Sequence, residues 1–143
     1  MRFALLTPAA LLLAACAGTP AAERIGAAEM SLEAGDLDAA RRGAEHAIAA
    51  RDTADLTAGE LCRLALVYAT VGDDSSGNEA DVAMAARCIR RALAKDSAAV
   101  DSFIHAMPVE QRPLMTLAVQ LCRTASADGL RQYEENDSIP TQQ

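Results

Sequence analysis

The chain has few aromatic residues. Among its 143 residues there are no tryptophans, two tyrosines and two phenylalanines. Single-stranded nucleic acids stack their bases on aromatic side chains, and such platforms are scarce here. Basic residues are outnumbered as well, since 13 lysines and arginines face 20 aspartates and glutamates and the formal net charge is −7. Nucleic-acid-binding proteins present basic faces, so we expect no nucleic acid among the partners.

Catalytic and metal-binding motifs are also missing from the sequence. It contains no Gly-rich phosphate loop and no Gly-x-Ser-x-Gly elbow. Neither His46 nor His105 belongs to a His-x-x-x-His spacing, and no Cys-x-x-Cys pair is present. The acidic segment at residues 72–81 lacks the ligand offsets of a calcium loop. We therefore predict no enzyme activity, no cofactor, no metal site and no small-molecule substrate.

No hydrophobic run is long enough to cross a membrane. Residues 4–15 are apolar apart from Thr7 and Pro8, and they follow the basic start Met1-Arg2-Phe3. Twelve residues in a helix rise about 18 Å, whereas the hydrocarbon core of a bilayer is about 30 Å thick. A basic start, a short apolar segment and small residues at its end are typical of a secretory signal peptide.

The end of this segment reads Leu13-Ala14-Ala15-Cys16 and resembles the lipobox of bacterial lipoproteins. The resemblance implies a diacylglycerol on the Cys16 sulfur, cleavage between Ala15 and Cys16, and an acylated amine. Two or three acyl chains anchor a protein stably, whereas a single chain does not. Ala17, in place of aspartate, favours the outer membrane, with the periplasmic or surface face left open. The alternative is an ordinary signal peptide that is cut after residues 15–17.

The predicted division is a signal peptide at 1–15, a lipidated cysteine and short tether at 16–22, a helical domain at 23–128 and a polar, disordered tail at 129–143. Within the domain, apolar residues recur at helical spacing in two units. The first unit has Ile25, Ala28 and Leu32, then Gly35-Asp36, then Ala40, Ala44, Ala47 and Ile48. The second unit has a Thr57–Glu60 capping box, then Leu61, Leu64, Ala65 and Tyr68, then Gly72-Asp73, then Ala85, Ile89, Ala92 and Leu93. Each Gly-Asp pair is expected to form the turn of a helical hairpin.

The two units resemble the tetratricopeptide repeat over residues 21–97. The matching positions are Ala28, Gly35, Asp36, Ala40 and Ala47 in the first unit and Ala65, Tyr68, Gly72, Ala85 and Ala92 in the second. The first unit lacks the large aromatics, and Asp52 and Ser97 stand where the repeat has a closing proline. We predict an all-α fold of antiparallel hairpins stacked as a short repeat-like solenoid, with a compact helical bundle as the alternative.

A third, degenerate helix pair is expected at residues 98–128, because a solenoid needs a capping element. Ser97 would cap its first helix and Pro108 would stop it. The second helix would begin near Pro113 and end at Gly129. Its apolar residues Leu114, Leu117, Ala118 and Leu121 share one face. We expect the pair to cover the exposed core of the second unit.

The repeat resemblance also implies a partner-binding groove lined by the first helix of each unit. The corresponding residues are Glu29, Glu33, Arg63 and Leu66. The predicted function is a lipid-anchored envelope protein that binds another envelope protein or peptide, or acts as a scaffold. The alternatives are a purely structural lipoprotein bundle and a small thiol-dependent enzyme.

Three cysteines besides Cys16 lie in apolar helical runs: Cys62, Cys88 and Cys122. We interpret them as small buried hydrophobes. A Cys62–Cys88 disulfide and a reactive thiol remain alternatives. Thr53, Ser97 and Ser138 each follow an aspartate in tripeptides resembling the O-glycosylation sequence of exported Bacteroidota proteins. Tripeptides this short recur by chance, so the match carries little weight.

Overall fold

The computed structural model describes residues 20–50, 55–73 and 78–136, and the side chains of 21–50, 55–73 and 78–125. The helices are α1 (Pro20–Glu33), α2 (Leu37–Ala49), α3 (Ala58–Asp73), α4 (Glu79–Ala106) and α5 (Arg112–Asn136). These residues form no β-strand, so the predicted all-α class is confirmed. The predicted signal peptide, Cys16, Thr53 and Ser138 lie outside the described residues.

The first hairpin joins α1 to α2 through the predicted turn at Gly35. Gly35 has a φ of +78°, a conformation that glycine adopts without steric cost. The Asp36 amide donates to the Ser31 carbonyl (2.9 Å) and the Gly35 amide to the Leu32 carbonyl (3.0 Å). This pair of bonds is the Schellman motif that closes a helix. The Asp36 side chain then accepts from the Ala39 amide and caps α2 (2.9 Å).

The second hairpin joins α3 to α4, and it begins with the predicted capping box. The Thr57 amide donates to the Glu60 carboxylate (2.8 Å), and the Glu60 amide donates to the Thr57 hydroxyl (3.2 Å). The predicted turn at Gly72-Asp73 is wrong, because α3 continues through both residues. Gly72 is buried against α4, where a Cβ atom would lie 3.1 Å from Val82 Cγ2. A residue without a side chain is needed at position 72 because the two helices approach closely there. The cap of α4 is provided by Asn78.

The third helix pair arises from a kink inside α4. Asp96 has non-helical dihedrals (φ −160°, ψ 94°), and its side chain accepts from the Ala99 amide (2.9 Å). The cap of the next segment is therefore Asp96, one residue before the predicted Ser97. The segment ends at Ala106, before Pro108, as predicted. The predicted end of the last helix at Gly129 is wrong, since α5 extends to Asn136.

Because consecutive helices run in opposite directions, their starts and turns lie at two opposite ends of the hairpins. We call the end where α1 starts (Pro20) and α3 starts (Ala58) the proximal end, and the end holding the Gly35 turn, Asp73 and Glu79 the distal end. Lys95 Nζ donates to the Leu56 carbonyl (2.6 Å). Because Leu56 lies beside the start of α3, the first part of α4 ends at the proximal end, next to Asp96. After the kink the chain returns, and α5 runs antiparallel to residues 97–106, because Arg112 contacts Met107 and Arg123 contacts Asp101.

Much of the core consists of small side chains. The alanine stripes predicted from the sequence are buried at Ala40, Ala44, Ala47, Ala85 and Ala92. Small side chains let helix axes approach, and Gly43 illustrates this, since a Cβ there would lie 3.0 Å from Ala28 Cβ. The core begins earlier than predicted: α1 starts at Pro20 and Ala21 is buried, so residues 20–22 of the expected tether belong to the helix.

A buried ion pair connects the two hairpins near the distal end. Asp81 on α4 is 4% exposed. Arg41 on α2 donates to it through Nε (3.1 and 3.2 Å) and through Nη2 (2.7 Å). The hydrogen bond to Asp81 raises the pKa of Arg41. A buried carboxylate needs such a partner, because its charge is poorly solvated.

Candidate functional site

Two of the four residues predicted to line a groove bind each other. Arg63 Nε donates to Glu29 Oε1 (2.7 Å) and Nη2 donates to Glu29 Oε2 (2.5 Å). Both side chains are about one-third exposed. The hydrogen bond to Glu29 raises the pKa of Arg63. This bidentate pair links α1 to α3 and satisfies the hydrogen-bonding groups that a partner would otherwise contact.

The other two predicted residues separate from this pair. Glu33 is exposed at the end of α1 and forms no ion pair with a described residue. Leu66 is half-buried on α3, one turn beyond Arg63, and it borders an apolar groove. The structure therefore does not unite the four residues in one site, and of these residues only Leu66 lines the groove.

The apolar groove lies between α5 and the hairpin of α3 and α4. Its volume is about 310 Å³, at the lower end of the range for ligand pockets. Its floor consists of buried residues: Gly72, Ala85, Ile89, Met115 and Cys122. Its rim consists of the exposed side chains Val82, Leu114 and Leu121. The groove forms because α5 packs on α4 while the small residues Ala69 and Gly72 leave space beside α3.

Leucines on α5 extend the apolar surface of the rim. Leu114, Leu117 and Leu121 are 48%, 55% and 60% exposed. The third helix pair does cover the core, but through Met115, Val119 and Cys122, which are the buried side chains of α5 among those described. Residues at i, i+4 and i+7 share a helix face, and so do residues at i, i+3 and i+7. The helix therefore has two apolar stripes, and tertiary packing buries one of them.

The three cysteines are free thiols, and all are buried as predicted. Burial raises the pKa of the Cys62 thiol to about 11, and it does the same for Cys88 although Arg87 and Arg91 oppose the shift. Burial also raises the pKa of Cys122, whose Sγ donates to the Ala86 carbonyl (3.8 Å). The structure does not contain the alternative Cys62–Cys88 disulfide. Thiols in this state are poor nucleophiles, because the thiolate is the reactive form.

Residues 20–50, 55–73 and 78–136 form neither a metal-binding cluster nor a membrane span. No three His, Cys, Asp or Glu side chains in these ranges converge on a point where an ion could bind. None of the helices within them combines the length and the hydrophobicity that crossing a bilayer requires.

Comparison with protein-family models, curated proteins and solved structures finds no match to this chain. The candidate site is therefore identified from its geometry alone. It is the apolar groove at the distal half of the second hairpin, bordered by exposed leucines.

Proposed function

We propose that this chain is a lipid-anchored protein of the bacterial cell envelope that binds a partner protein through the apolar groove. In this proposal it is a tetratricopeptide-repeat-like interaction or scaffolding module without enzymatic activity, and it acts on no nucleic acid. The groove, with Leu114, Leu117 and Leu121 exposed beside it, is the observation that supports the binding role. Exposed apolar surface of this kind marks interaction sites in soluble domains.

The partner segment that fits this surface best is an amphipathic helix. Leu114 and Leu121 are seven residues apart, which is about 10 Å along α5 or two helical turns. A helix that docks in a groove presents anchors at i, i+3, i+4 and i+7 and covers a similar length. Among the described residues that line the groove, Asp73 is the only charged one, so the affinity would come mainly from apolar burial.

The location in the proposal depends on Cys16. The tetrapeptide Leu13-Ala14-Ala15-Cys16 supports lipid attachment, and Ala17 supports sorting to the outer membrane. Mass spectrometry of the mature protein tests this part directly. We expect a chain that begins at Cys16 and carries the mass of two or three acyl chains. A mature chain with an unmodified residue 16, or with residues 1–15 attached, would contradict it.

The groove is tested by Leu121→Glu in the full-length protein, with Met30→Glu as the matched control. Both variants replace an exposed apolar side chain, since Leu121 is 60% and Met30 is 71% exposed. Met30 lies on α1 and does not line the groove. Both variants should retain their helical circular dichroism. Loss of an interface anchor costs about 2 kcal/mol or more, which corresponds to roughly 30-fold in affinity.

Crosslinking in cells, followed by purification of the protein from membranes, provides the measurement. We expect partner proteins to be lost from Leu121→Glu and retained by Met30→Glu. If Leu121→Glu and Leu114→Glu both retain every partner, the groove is not the binding surface.

A further inference from the structure

A second surface of the protein is basic, although the whole chain is acidic. Residues 82–95 of α4 contain four basic residues and no acidic residue. Arg87, Arg90 and Arg91 are exposed, and together with the small Ala94 they line a shallow depression. Among the described residues, none of the three forms an ion pair with a carboxylate. We call these three residues the arginine surface.

Five exposed carboxylates with described side chains lie away from the arginine surface. Exposed carboxylates cluster at the distal end, where the residues are Glu33, Asp36, Asp38, Asp73 and Glu79. Glu79 precedes Arg90 by eleven residues, or about 16 Å of helix. The screening length at physiological ionic strength is about 8 Å. A negatively charged surface that touches the arginines is therefore largely screened from the distal carboxylates.

The described carboxylates Glu23, Asp55 and Asp96 form no ion pair with the arginine surface. Asp96 accepts a hydrogen bond from the Ala99 amide at the kink. Glu23 and Asp55 are exposed at the proximal end, and the exposed Arg24 follows Glu23 in sequence. Neither carboxylate pairs with an arginine of α4 within the described part of the chain.

The arginine surface lies toward the end of the molecule where the chain enters α1. Lys95, one helical turn beyond Arg91, bonds to the Leu56 carbonyl beside the start of α3. Helices α1 and α3 start at this same end. Three residues separate Cys16 from Pro20, so a lipid attached to Cys16 would be at most about 14 Å of chain away from the start of α1. The proposed lipid anchor would thus hold the arginine surface near the headgroups.

We propose that the arginine surface docks on the phosphates of anionic lipid headgroups and fixes the orientation of the domain on the membrane. Guanidinium groups bind phosphate through paired hydrogen bonds. In this orientation the distal half of the molecule, with the apolar groove, faces away from the bilayer and stays accessible. The inference rests on the proposed lipid anchor for its location, while the basic surface itself consists of described residues.

Tryptophan fluorescence can test the docking, because the chain contains no tryptophan. We would place a single probe with Ala94→Trp in the arginine surface, or with Ala80→Trp at the distal start of α4 as the control. Both alanines are exposed, and they lie on the same helix about 21 Å apart. The protein, purified from bacterial membranes, is bound to vesicles of phosphatidylcholine alone or with phosphatidylglycerol, each containing brominated lipid as the quencher.

We expect quenching at position 94 and not at position 80, and only on vesicles that contain phosphatidylglycerol. Arg90→Gln should lower the ratio of docked to undocked protein about fivefold, in keeping with the contribution of one basic residue near an anionic surface. Arg42→Gln is the charge-matched control, an exposed arginine on α2, and should leave the ratio unchanged. Salt at 1 M shortens the screening length to about 3 Å and should abolish the difference between the two probes.

The two proposals fail in different ways. Flotation with phosphatidylcholine vesicles reports the lipid anchor alone, whereas the difference between positions 94 and 80 on anionic vesicles reports the arginine surface alone. Equal quenching at both positions, or quenching at position 94 that Arg90→Gln leaves intact, would overturn the docking proposal. Shielding of position 94 by an acidic protein, and not by anionic vesicles, would overturn it as well.

Discussion

The two buried thiols of the second hairpin should make the protein unstable at alkaline pH. The ordinary pKa of a thiol is near 9, and burial raises that of Cys62 and Cys88 to about 11 in the folded state. Between pH 9 and 11 the unfolded chain loses these protons while the folded chain retains them. The free energy of unfolding therefore falls as the pH rises through this window, and below pH 9 the thiols have no effect.

The size of the fall follows from the shift in pKa. One pH unit above the unfolded pKa, each thiol lowers the free energy of unfolding by about 1.4 kcal/mol, so the two together lower it by about 3 kcal/mol at pH 10. This is a large fraction of the 5–15 kcal/mol typical of a folded domain. Interference from lysine is small, because Lys95 is the only lysine of the chain.

Urea unfolding at pH 8 and pH 10, followed by circular dichroism with a reductant present, measures this difference. The double variant Cys62→Ala/Cys88→Ala is the control. It should be less stable at pH 8 because it loses packed atoms. Its stability should fall less than that of the original protein between the two pH values, because only the buried thiol of Cys122 remains. If the double variant loses as much stability at pH 10 as the original protein, the thiols are not the cause. Slow alkylation of both cysteines in the folded protein at pH 8 is the companion result, and rapid labelling of either would favour the thiol-dependent enzyme.

Three further substitutions test the packing. Tyr68→Phe should stabilise the protein by about 1 kcal/mol in urea unfolding, because the buried hydroxyl has no hydrogen-bond partner among the described residues; a loss of stability would show that the hydroxyl is satisfied. Gly35→Ala should destabilise the protein by about 1–2 kcal/mol, because φ is +78° at this residue. Gly59→Ala should stabilise it slightly, because the added Cβ meets no atom within 4 Å. Equal effects of the two substitutions would contradict the left-handed conformation at Gly35. Arg41→Ala should lower the urea midpoint more than Asp81→Ala, because it leaves a buried carboxylate alone while the arginine can reach water; the reverse order would refute this assignment.

Local signals in the sequence predicted the first hairpin well. The turn at Gly35-Asp36 requires only a glycine with positive φ and a capping carboxylate, both of which are properties of adjacent residues. The same dipeptide at Gly72-Asp73 has a different role, because the approach of Val82 on α4 makes a small residue necessary inside the helix. The sequence alone does not distinguish a glycine that turns the chain from one that leaves room for a neighbouring helix.

The candidate site was harder to predict, because it depends on which face of α5 is buried. The stripe at Leu114, Leu117 and Leu121 is as regular as the one at Met115, Val119 and Cys122. Only contact with α4 selects the second stripe and leaves the leucines exposed. The repeat resemblance predicts that Glu29 and Arg63 face an external partner, whereas the parallel arrangement of α1 and α3 brings them to each other.

The kink at Asp96 determines whether the last part of the chain can complete the fold. With helical dihedrals at this residue, α4 would be a straight rod of 28 residues, about 42 Å long. Its second half would then project past the proximal end, and Val100 and Ile104 would lose their burial. Arg123 could no longer reach Asp101, and α5 would have no antiparallel neighbour. The extended backbone at Asp96 thus turns the second half of α4 back along the domain, where it covers the core together with α5.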